Sequence, residues 1–354
     1  MPNPIHGRGA QSAAVPQRFG LAAREADGDW LDAREDLDGP GPKLRTQVIE
    51  ERARTIVSFN QSPDIPFDRS INAYRGCEHG CVYCYARPSH AFHDLSPGLD
   101  FETRLFAKPN AAQLLRKELA RPNYKPAPIA MGTNTDPYQP IEEHFRLTRQ
   151  VLEVCLETSH PVTITTKSAR VLRDLDLLQE LARRSLVAVS ISVTSLDPQL
   201  SGLLEPRASS PAKRLNALEK LSMAGIPAHV SVAPVIPAIT DEFIERILEE
   251  AAARGVQSAS WIMLRLPHEV APLMREWLDV HCPDRAAKVI HTVQAMREGR
   301  DNDPDFFTRM KPLGVWADVF RARFRLACKR FGLNRSQPLL DCSHFVPPGQ
   351  LALF

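Results

Sequence analysis

Five apolar runs of strand length recur through the middle of this 354-residue chain, each followed by a punctuated helical segment: Ile129 to Gly132, Val162 to Thr166, Val187 to Val193, His229 to Val235 and Ser260 to Leu264. Strands that alternate with helices run parallel, because the connecting helix crosses a face of the sheet before the next strand begins. A short first strand within Ser70-Ile-Asn-Ala-Tyr-Arg75, reached through Ser62-Pro-Asp-Ile-Pro-Phe-Asp68, brings the count to six. Ser168 caps the run carrying Leu172, Leu175, Leu178 and Leu181, and Ser210-Pro211 opens a helix that stops at Gly225. Thr240 caps another, with Asp241 and Glu242 in its first turn and Gly255 after its end. Six such units predict an α/β fold built as a partial TIM-like (βα)6 barrel, in which chemistry sits at the carboxyl ends of the strands.

The feature that names the chemistry lies just after the first strand, in Cys77-Glu-His-Gly-Cys81-Val-Tyr-Cys84, three cysteines within eight residues. Thiolates at this spacing can wrap one iron-sulfur cube, and a cube held by three ligands keeps its fourth iron open for another group. A structural zinc site needs four ligands, and no second Cys-x-x-Cys pair completes one. A disulfide is disfavoured by the crowding of the loop and by the absence of any mark of secretion.

The Cys-x-x-x-Cys-x-x-Cys spacing, with aromatic Tyr83 before the last cysteine, resembles the signature of radical S-adenosylmethionine (radical SAM) enzymes. The resemblance implies a 4Fe-4S cluster on Cys77, Cys81 and Cys84, with the amino and carboxylate groups of S-adenosyl-L-methionine on the open iron and a 5'-deoxyadenosyl radical as product of its reductive cleavage. It also implies a reductant such as flavodoxin or ferredoxin. A cluster without SAM chemistry, as in a non-catalytic redox or sensor protein, and a plain zinc loop are the alternatives. The wider pattern resembles the bacterial radical SAM proteins grouped with spore photoproduct lyase, which are loosely called DNA repair photolyases. It runs from Phe67-Asp-Arg-Ser-Ile-Asn-Ala-Tyr-Arg-Gly-Cys77 through Cys84-Tyr-Ala-Arg-Pro-Ser-His90, Ser96-Pro-Gly-Leu-Asp-Phe-Glu102 and Thr135-Asp-Pro-Tyr-Gln-Pro140, a likeness over roughly Asn60 to Leu266.

That subgroup makes a lyase or DNA-repair role the expectation, with radical modification of a peptide or protein as the competing reading. Spore photoproduct lyase itself uses a further cysteine as hydrogen donor. The next cysteine here is Cys155, with Phe145, Leu152 and Leu156 on an apolar helix face, so direct reversal of a thymine dimer is not expected.

The strand ends supply the rest of the site. The second delivers Gly132-Thr133-Asn134-Thr135-Asp136, the third Thr166-Lys167-Ser168 and the fourth Ser192-Val193-Thr194-Ser195. Radical SAM enzymes usually carry a glycine-rich stretch at the second strand's end that meets the SAM amino group, and Thr133 and Asn134 stand there instead. Lys167 can pair with the SAM carboxylate as a point charge, Ser192 can reach the ribose, and Arg207, in Glu205-Pro-Arg207, offers a bidentate alternative for the carboxylate. In the opposing reading Lys167 and Arg207 only balance Asp136 and Glu205. His79 and His268 are candidates for polar work near the radical, or surface histidines. Cys282, Cys328 and Cys342 are isolated, and Cys342 with His344 makes only two ligands, so no second metal is expected.

Residues 1–56, rich in Gly, Ala, Pro and Asp, are expected to form a disordered arm whose basic beginning (His6, Arg8, Arg18) is solvated. The barrel is assigned to 57–268 and a helical extension to 269–345. In the extension Trp316, Phe320, Phe324, Ala327 and Phe331 form an aromatic stripe expected to close the open side of the barrel, with Arg321, Arg325, Lys329 and Arg330 on the other face. This basic face favours a nucleic-acid substrate, although Lys plus Arg (44) nearly equals Asp plus Glu (42) overall. Neither a signal segment nor an apolar run of about 18 residues is present, which predicts a cytoplasmic protein without a membrane partner. In the tail, 346–354, Gln350, Leu351, Leu353 and Phe354 resemble the peptide by which bacterial polymerases and repair proteins dock on the DNA sliding clamp.

Overall fold

The computed structural model describes residues 5, 7–13, 44–336 and 339–349. In chain order its strands are β1 (Gln47–Glu50), β2 (Val57–Phe59), β3 (Arg69–Ile71), β4 (Tyr74–Arg75), β5 (Arg104–Ala107), β6 (Ile129–Met131), β7 (Val162–Thr166), β8 (Val187–Ser192), β9 (Ala228–Val235) and β10 (Ser258–Met263). The longer helices are α1 (Ala111–Leu119), α2 (Leu147–Glu157), α3 (Leu175–Arg183), α4 (Pro211–Met223), α5 (Ile244–Ala253), α6 (Val270–His281), α7 (Pro283–Ala295) and α8 (Gly314–Phe331).

One sheet has the order β10-β9-β8-β7-β6-β3-β2, with β3 and β6 to β10 parallel and β2 antiparallel at the edge. Six parallel strands in sequence order are the expected partial barrel. Their β-branched residues alternate as a half-buried strand requires: in β7, Val162, Ile164 and Thr166 are buried while Thr163 and Thr165 are not. The helices answer with apolar stripes, such as Leu178 and Leu181 of α3, both fully buried. Ser168 accepts a hydrogen bond from the Arg170 amide (3.2 Å), as an N-cap should, although a 3-10 turn, Ala169–Asp174, precedes α3. Thr240 departs from expectation. Its hydroxyl accepts from the Ile236 amide (2.8 Å) in the preceding loop, leaving the following turn without a side-chain cap.

The expected first strand is two. Ser70 and Ile71 belong to β3 in the main sheet, whereas Tyr74 and Arg75 form β4 in a second sheet of order β1-β5-β4. The turn at Asn72-Ala73 makes the switch, and the cluster loop therefore starts from this side sheet.

The expected disordered arm is corrected in two places. Gln47–Glu50 pairs in parallel with β5, and residues 8–10 are buried. Arg8 is not a solvated tail residue: its guanidinium donates to the carbonyls of Glu102 (2.9 Å) and Leu44 (2.8 Å). Composition cannot reveal this, because these contacts satisfy backbone and charge rather than bury a large apolar side chain. His6, Arg18 and the clamp-like residues Gln350, Leu351, Leu353 and Phe354 lie outside the described residues.

The helical extension is present, but it closes the barrel differently. Phe320, Phe324 and Ala327 of α8 are buried, and Arg323 staples the helix to α5 through Glu245 (2.8 Å) and the Asp241 carbonyl (2.7 Å). Phe324 lies 6.3 Å from Trp261 of β10, and the Asn334 side chain bonds the Ala259 amide (2.7 Å) and carbonyl (2.9 Å), capping the free edge of that strand. Trp316 is not part of the buried stripe. It stands 47% exposed in the first turn, beside exposed Val315 and Val319. The gap between the sheet's two edges is spanned instead by Arg309, after β10, which forms a two-pronged ion pair with Asp64, after β2 (2.7 and 2.6 Å). Among the described residues no helix is long and apolar enough to cross a membrane.

Candidate metal and cofactor site

The cysteine loop leaves β4 at the carboxyl end of the barrel and is tied from behind at almost every residue. The Cys77 amide donates to the Phe101 carbonyl (2.9 Å), the Glu78 amide to the Gln139 side chain (2.8 Å) and the Val82 amide to the Leu204 carbonyl (3.1 Å). Arg87, fully buried, donates to the carbonyls of Cys81 (2.9 Å) and Gly80 (3.2 Å) and pairs with fully buried Glu102. The same carboxylate also faces the N-terminal segment, accepting from the amide of Gly9 at its other oxygen (3.1 Å) and from that of Ala10 at the oxygen Arg87 uses (2.8 Å). Two glycines make this crowding possible. At Gly76 (φ +72°) a Cβ would stand 2.6 Å from Leu105 and 2.8 Å from the Phe101 carbonyl, and at Gly80 (φ +67°) 2.7 Å from Glu102.

Cys77, Cys81 and Cys84 are free thiols, the first two buried and the third half-buried. Burial raises the pKa of all three, helped at Cys77 by the charge of Asp136 and at Cys81 by that of Glu205. Backbone amides pull the other way, that of Asp136 at Cys77 and those of Ala86 and Arg87 at Cys84. Such a set fits an iron-sulfur cluster: bound metal replaces the thiol protons, and amide donors toward sulfur are part of how proteins tune these groups. Among the described residues, no group of three His, Cys, Asp or Glu side chains stands arranged to hold a single ion.

Around this loop the strand ends divide the expected cofactor residues into two groups. Tyr83, Lys167 and Ser192 come together around Glu205. The Tyr83 hydroxyl and the Arg214 guanidinium both donate to the Glu205 carboxylate, as does Thr194 (2.8 Å), and Lys167 Nζ stands 3.8 Å from it and 5.8 Å from the centre of the Tyr83 ring. Lys167 Nζ also donates to the Ala233 carbonyl (3.2 Å), and the carbonyl of buried Ser192 accepts from Arg214 (3.0 Å). Thr133 and Asn134 form the second group, held by Asn72 from the end of β3. Its side-chain oxygen accepts from the Asn134 amide (3.0 Å) and its nitrogen donates to the Thr133 hydroxyl (3.2 Å). The turn is sharp because Gly132 (φ +87°) lets the backbone pass where a Cβ would lie 2.0 Å from the Thr165 carbonyl.

Arg207 falls outside both groups. Its guanidinium donates to Glu78 (2.6 Å) and Thr46 (3.1 Å) on the N-terminal side of the loop. The charge balance is thus Lys167 with Glu205 and Arg207 with Glu78. Asp136 pairs with neither cation: it accepts from the Lys167 amide (2.7 Å) and Thr166 (2.7 Å) and lies 3.3 Å from His79 Nδ1. Burial alone would raise the Asp136 pKa, but His79 and these donors outweigh it and hold it at about 2. His79 is buried and its Nε2 has no partner among the described residues, whereas His268 is exposed at φ +48°. Asn72, Arg87 and Glu102 stand inside the quoted motifs and Thr194 at a strand end without an assigned role, because their roles depend on partners that only folding supplies. Arg214, within a helix, carries no sequence signal at all.

The family model described as the Radical SAM superfamily matches residues 71–251. An uncharacterized protein of Mycobacterium tuberculosis is 38% identical over 226 residues, which span 62% of this chain and 66% of that protein. The radical SAM Nalpha-GlyT isomerase of Pseudomonas phage M6 is 25% identical over 204 residues, 57% of this chain and 40% of that one. Among solved structures, spore photoproduct lyase complexed with dinucleoside spore photoproduct superposes with a TM-score of 0.59 at 17% identity, covering 81% of this chain and 80% of that one, which shows a shared fold. With its three thiols at the carboxyl end of six parallel strands and a family match over more than half its length, this chain belongs to the radical SAM superfamily.

Proposed function

We propose that this radical SAM enzyme binds a 4Fe-4S cluster on Cys77, Cys81 and Cys84, holds S-adenosyl-L-methionine between the Tyr83–Lys167–Ser192 and Thr133–Asn134 groups, and acts on nucleic acid. When bound, the cluster and SAM together supply a 5'-deoxyadenosyl radical that takes a hydrogen atom from the substrate. The observation that carries the reading is the meeting of three free thiols with Lys167 and the two polar turns at one end of the sheet. Lys167 is the better placed of the two cations for the SAM carboxylate. Its ammonium stands 5.8 Å from the centre of the Tyr83 ring, beside the last cluster cysteine, while Arg207 is committed to Glu78 and Thr46 on the N-terminal side of the loop. Asn72 fixes Thr133 and Asn134, which would meet the SAM amino group, and Asp136 fixes the backbone at Lys167.

A nucleotide substrate is supported by the shared fold with a spore photoproduct lyase complexed with dinucleoside spore photoproduct. A damaged or modified base flipped out of its stack would enter the same mouth. Cys155, on α2, is fully buried in the core, which argues against its use as a hydrogen donor. Anaerobic reconstitution of the full chain tests the chemistry: the reduced brown protein should convert SAM to 5'-deoxyadenosine and methionine, and replacing the three cysteines with alanine should abolish both colour and turnover. A full cluster that neither binds nor cleaves SAM would overturn the reading in favour of a redox or sensor protein. Deuterium transfer from labelled oligonucleotides into 5'-deoxyadenosine, against labelled peptides, then identifies the substrate class.

A further inference from the structure

Two guanidiniums at the mouth of the barrel form no direct ion pair among the described residues, although Asp303 lies within electrostatic reach of both and Asp64 of Arg265. Arg265 follows β10 by two residues, and its Nη1 donates only to the weakly accepting sulfur of Met310 (3.2 Å), while its buried Nε has no partner. Arg297 is 97% buried and donates to the carbonyls of Leu264 (3.0 Å) and Arg309 (3.3 Å), again with Nε unmatched. The two repel one another, and burial together with that repulsion outweighs the opposing pull of Asp303 and brings Arg297 down to about 10. Charges buried in this way are costly unless an anion joins them. Arg265 also lies within electrostatic reach of Tyr85, the residue after the last cluster cysteine, whose hydroxyl donates to the Thr133 carbonyl of the cofactor rim.

Over these arginines sits the turn that spans the barrel gap. Asp64 holds it through Arg309 and through the Phe307 amide (3.3 Å), and Phe307 is thereby fixed at φ +68°, a conformation that bulky residues rarely adopt. The result is two phenyl rings presented to solvent: Phe306 is 52% and Phe307 56% exposed, and Arg309 lies 4.8 Å from the Phe306 ring centre. Planar rings beside unmatched guanidiniums suit a ligand that alternates flat bases with anionic phosphates, and a peptide provides no such regular charge.

We propose that the 306–310 turn with Arg265 is a single-strand nucleic-acid platform, in which Phe306 and Phe307 stack on bases flanking the reacting nucleotide and Arg265, half-buried and backed by the charge of Arg297, takes a phosphodiester. This rests on the nucleic-acid reading above and names the residues that would recognise the strand.

The test is anisotropy of a fluorescent oligodeoxynucleotide of about ten nucleotides on the full chain across a salt series. Phe306→Ala/Phe307→Ala, whose rings are largely solvent-facing, is expected to weaken binding roughly tenfold or more with an unchanged salt slope, and Arg265→Gln to reduce the log-log salt slope by about one. Matched melting curves keep misfolding apart from lost contacts. Equal binding by wild type and both variants overturns the platform while the nucleic-acid substrate stands. No binding by wild type at low salt overturns both, and SAM cleavage by that same wild-type preparation shows whether the radical chemistry survives. Wild-type dimers that the double variant dissociates would make the rings a self-interface and also sink the proposal.

Discussion

Glu205 stays charged inside the protein because Arg214, Tyr83 and Thr194 all donate to it and Lys167 stands 3.8 Å away. Burial alone would raise its carboxyl pKa, but Arg214 and Lys167 outweigh burial and hold it at about 2, below the ordinary 4.5. A depressed carboxyl stabilises the fold in full above its unfolded value, and that stability is lost as the pH falls from 4.5 through about 2. Glu205→Gln leaves the Arg214 charge buried without its counter-charge, at an expected cost of about 3–5 kcal/mol at neutral pH. Urea titrations of the cluster-free protein at pH 6 and pH 3 check this: the wild type should lose more stability on acidification than the variant. An equal loss would mean that Glu205 is not the ionised partner described. The sequence named Glu205 as a counter-charge for Lys167 or Arg207, but could not show that it is buried or that its partners come from a loop, two strand ends and a helix.

At the scale of elements, the cluster loop depends on a segment of chain that composition assigns to a solvated arm. Gly9 passes so close to the loop that a Cβ would stand 1.8 Å from the Gly80 carbonyl, and its amide holds Glu102, which in turn holds Arg87. Gly9→Ala is therefore expected to lift residues 7–13 from the loop without altering the thiols. The reconstituted variant should bleach several times faster in air than wild type, and bleaching at the wild-type rate would show that the segment does not shield the loop. Helix α8 offers a second check. Arg323 makes its bonds to α5 while still 30% exposed, so Arg323→Ala should lower stability by only about 1 kcal/mol, read from the urea midpoint at constant slope. The apolar spacing of α8 was legible, but periodicity could not show that Val315, Trp316 and Val319 near its start stay exposed.

For the whole molecule, the Asp64–Arg309 pair joins elements from opposite edges of the sheet and so stands in for the strands a full barrel would have. Asp64→Asn should speed amide exchange in residues 301–311 and around 60–68 together, with the central strands unaffected; exchange that rises on only one side would show that the two edges are not coupled. The C-terminal residues Gln350, Leu351, Leu353 and Phe354 carry a separate proposal, docking on the DNA sliding clamp. Titration of purified clamp with the full chain should show micromolar binding that Leu353→Ala/Phe354→Ala removes, and no binding by wild type removes the partner.

The sequence by itself determined the alternation of strands and helices, the six parallel strands and the three thiols, because periodicity, capping and short-range spacing are local properties of the chain. Tertiary structure alone decided which charges meet. Glu205 reaches Tyr83 across 122 positions, Asp64 reaches Arg309 across 245, and Arg8 reaches Glu102 across 94, and neither burial nor the surplus of guanidinium at Arg265 and Arg297 exists until those distances close. The divided first strand belongs to the same class, since Ile71 and Tyr74 are three residues apart yet enter different sheets according to the partners that folding brings beside them.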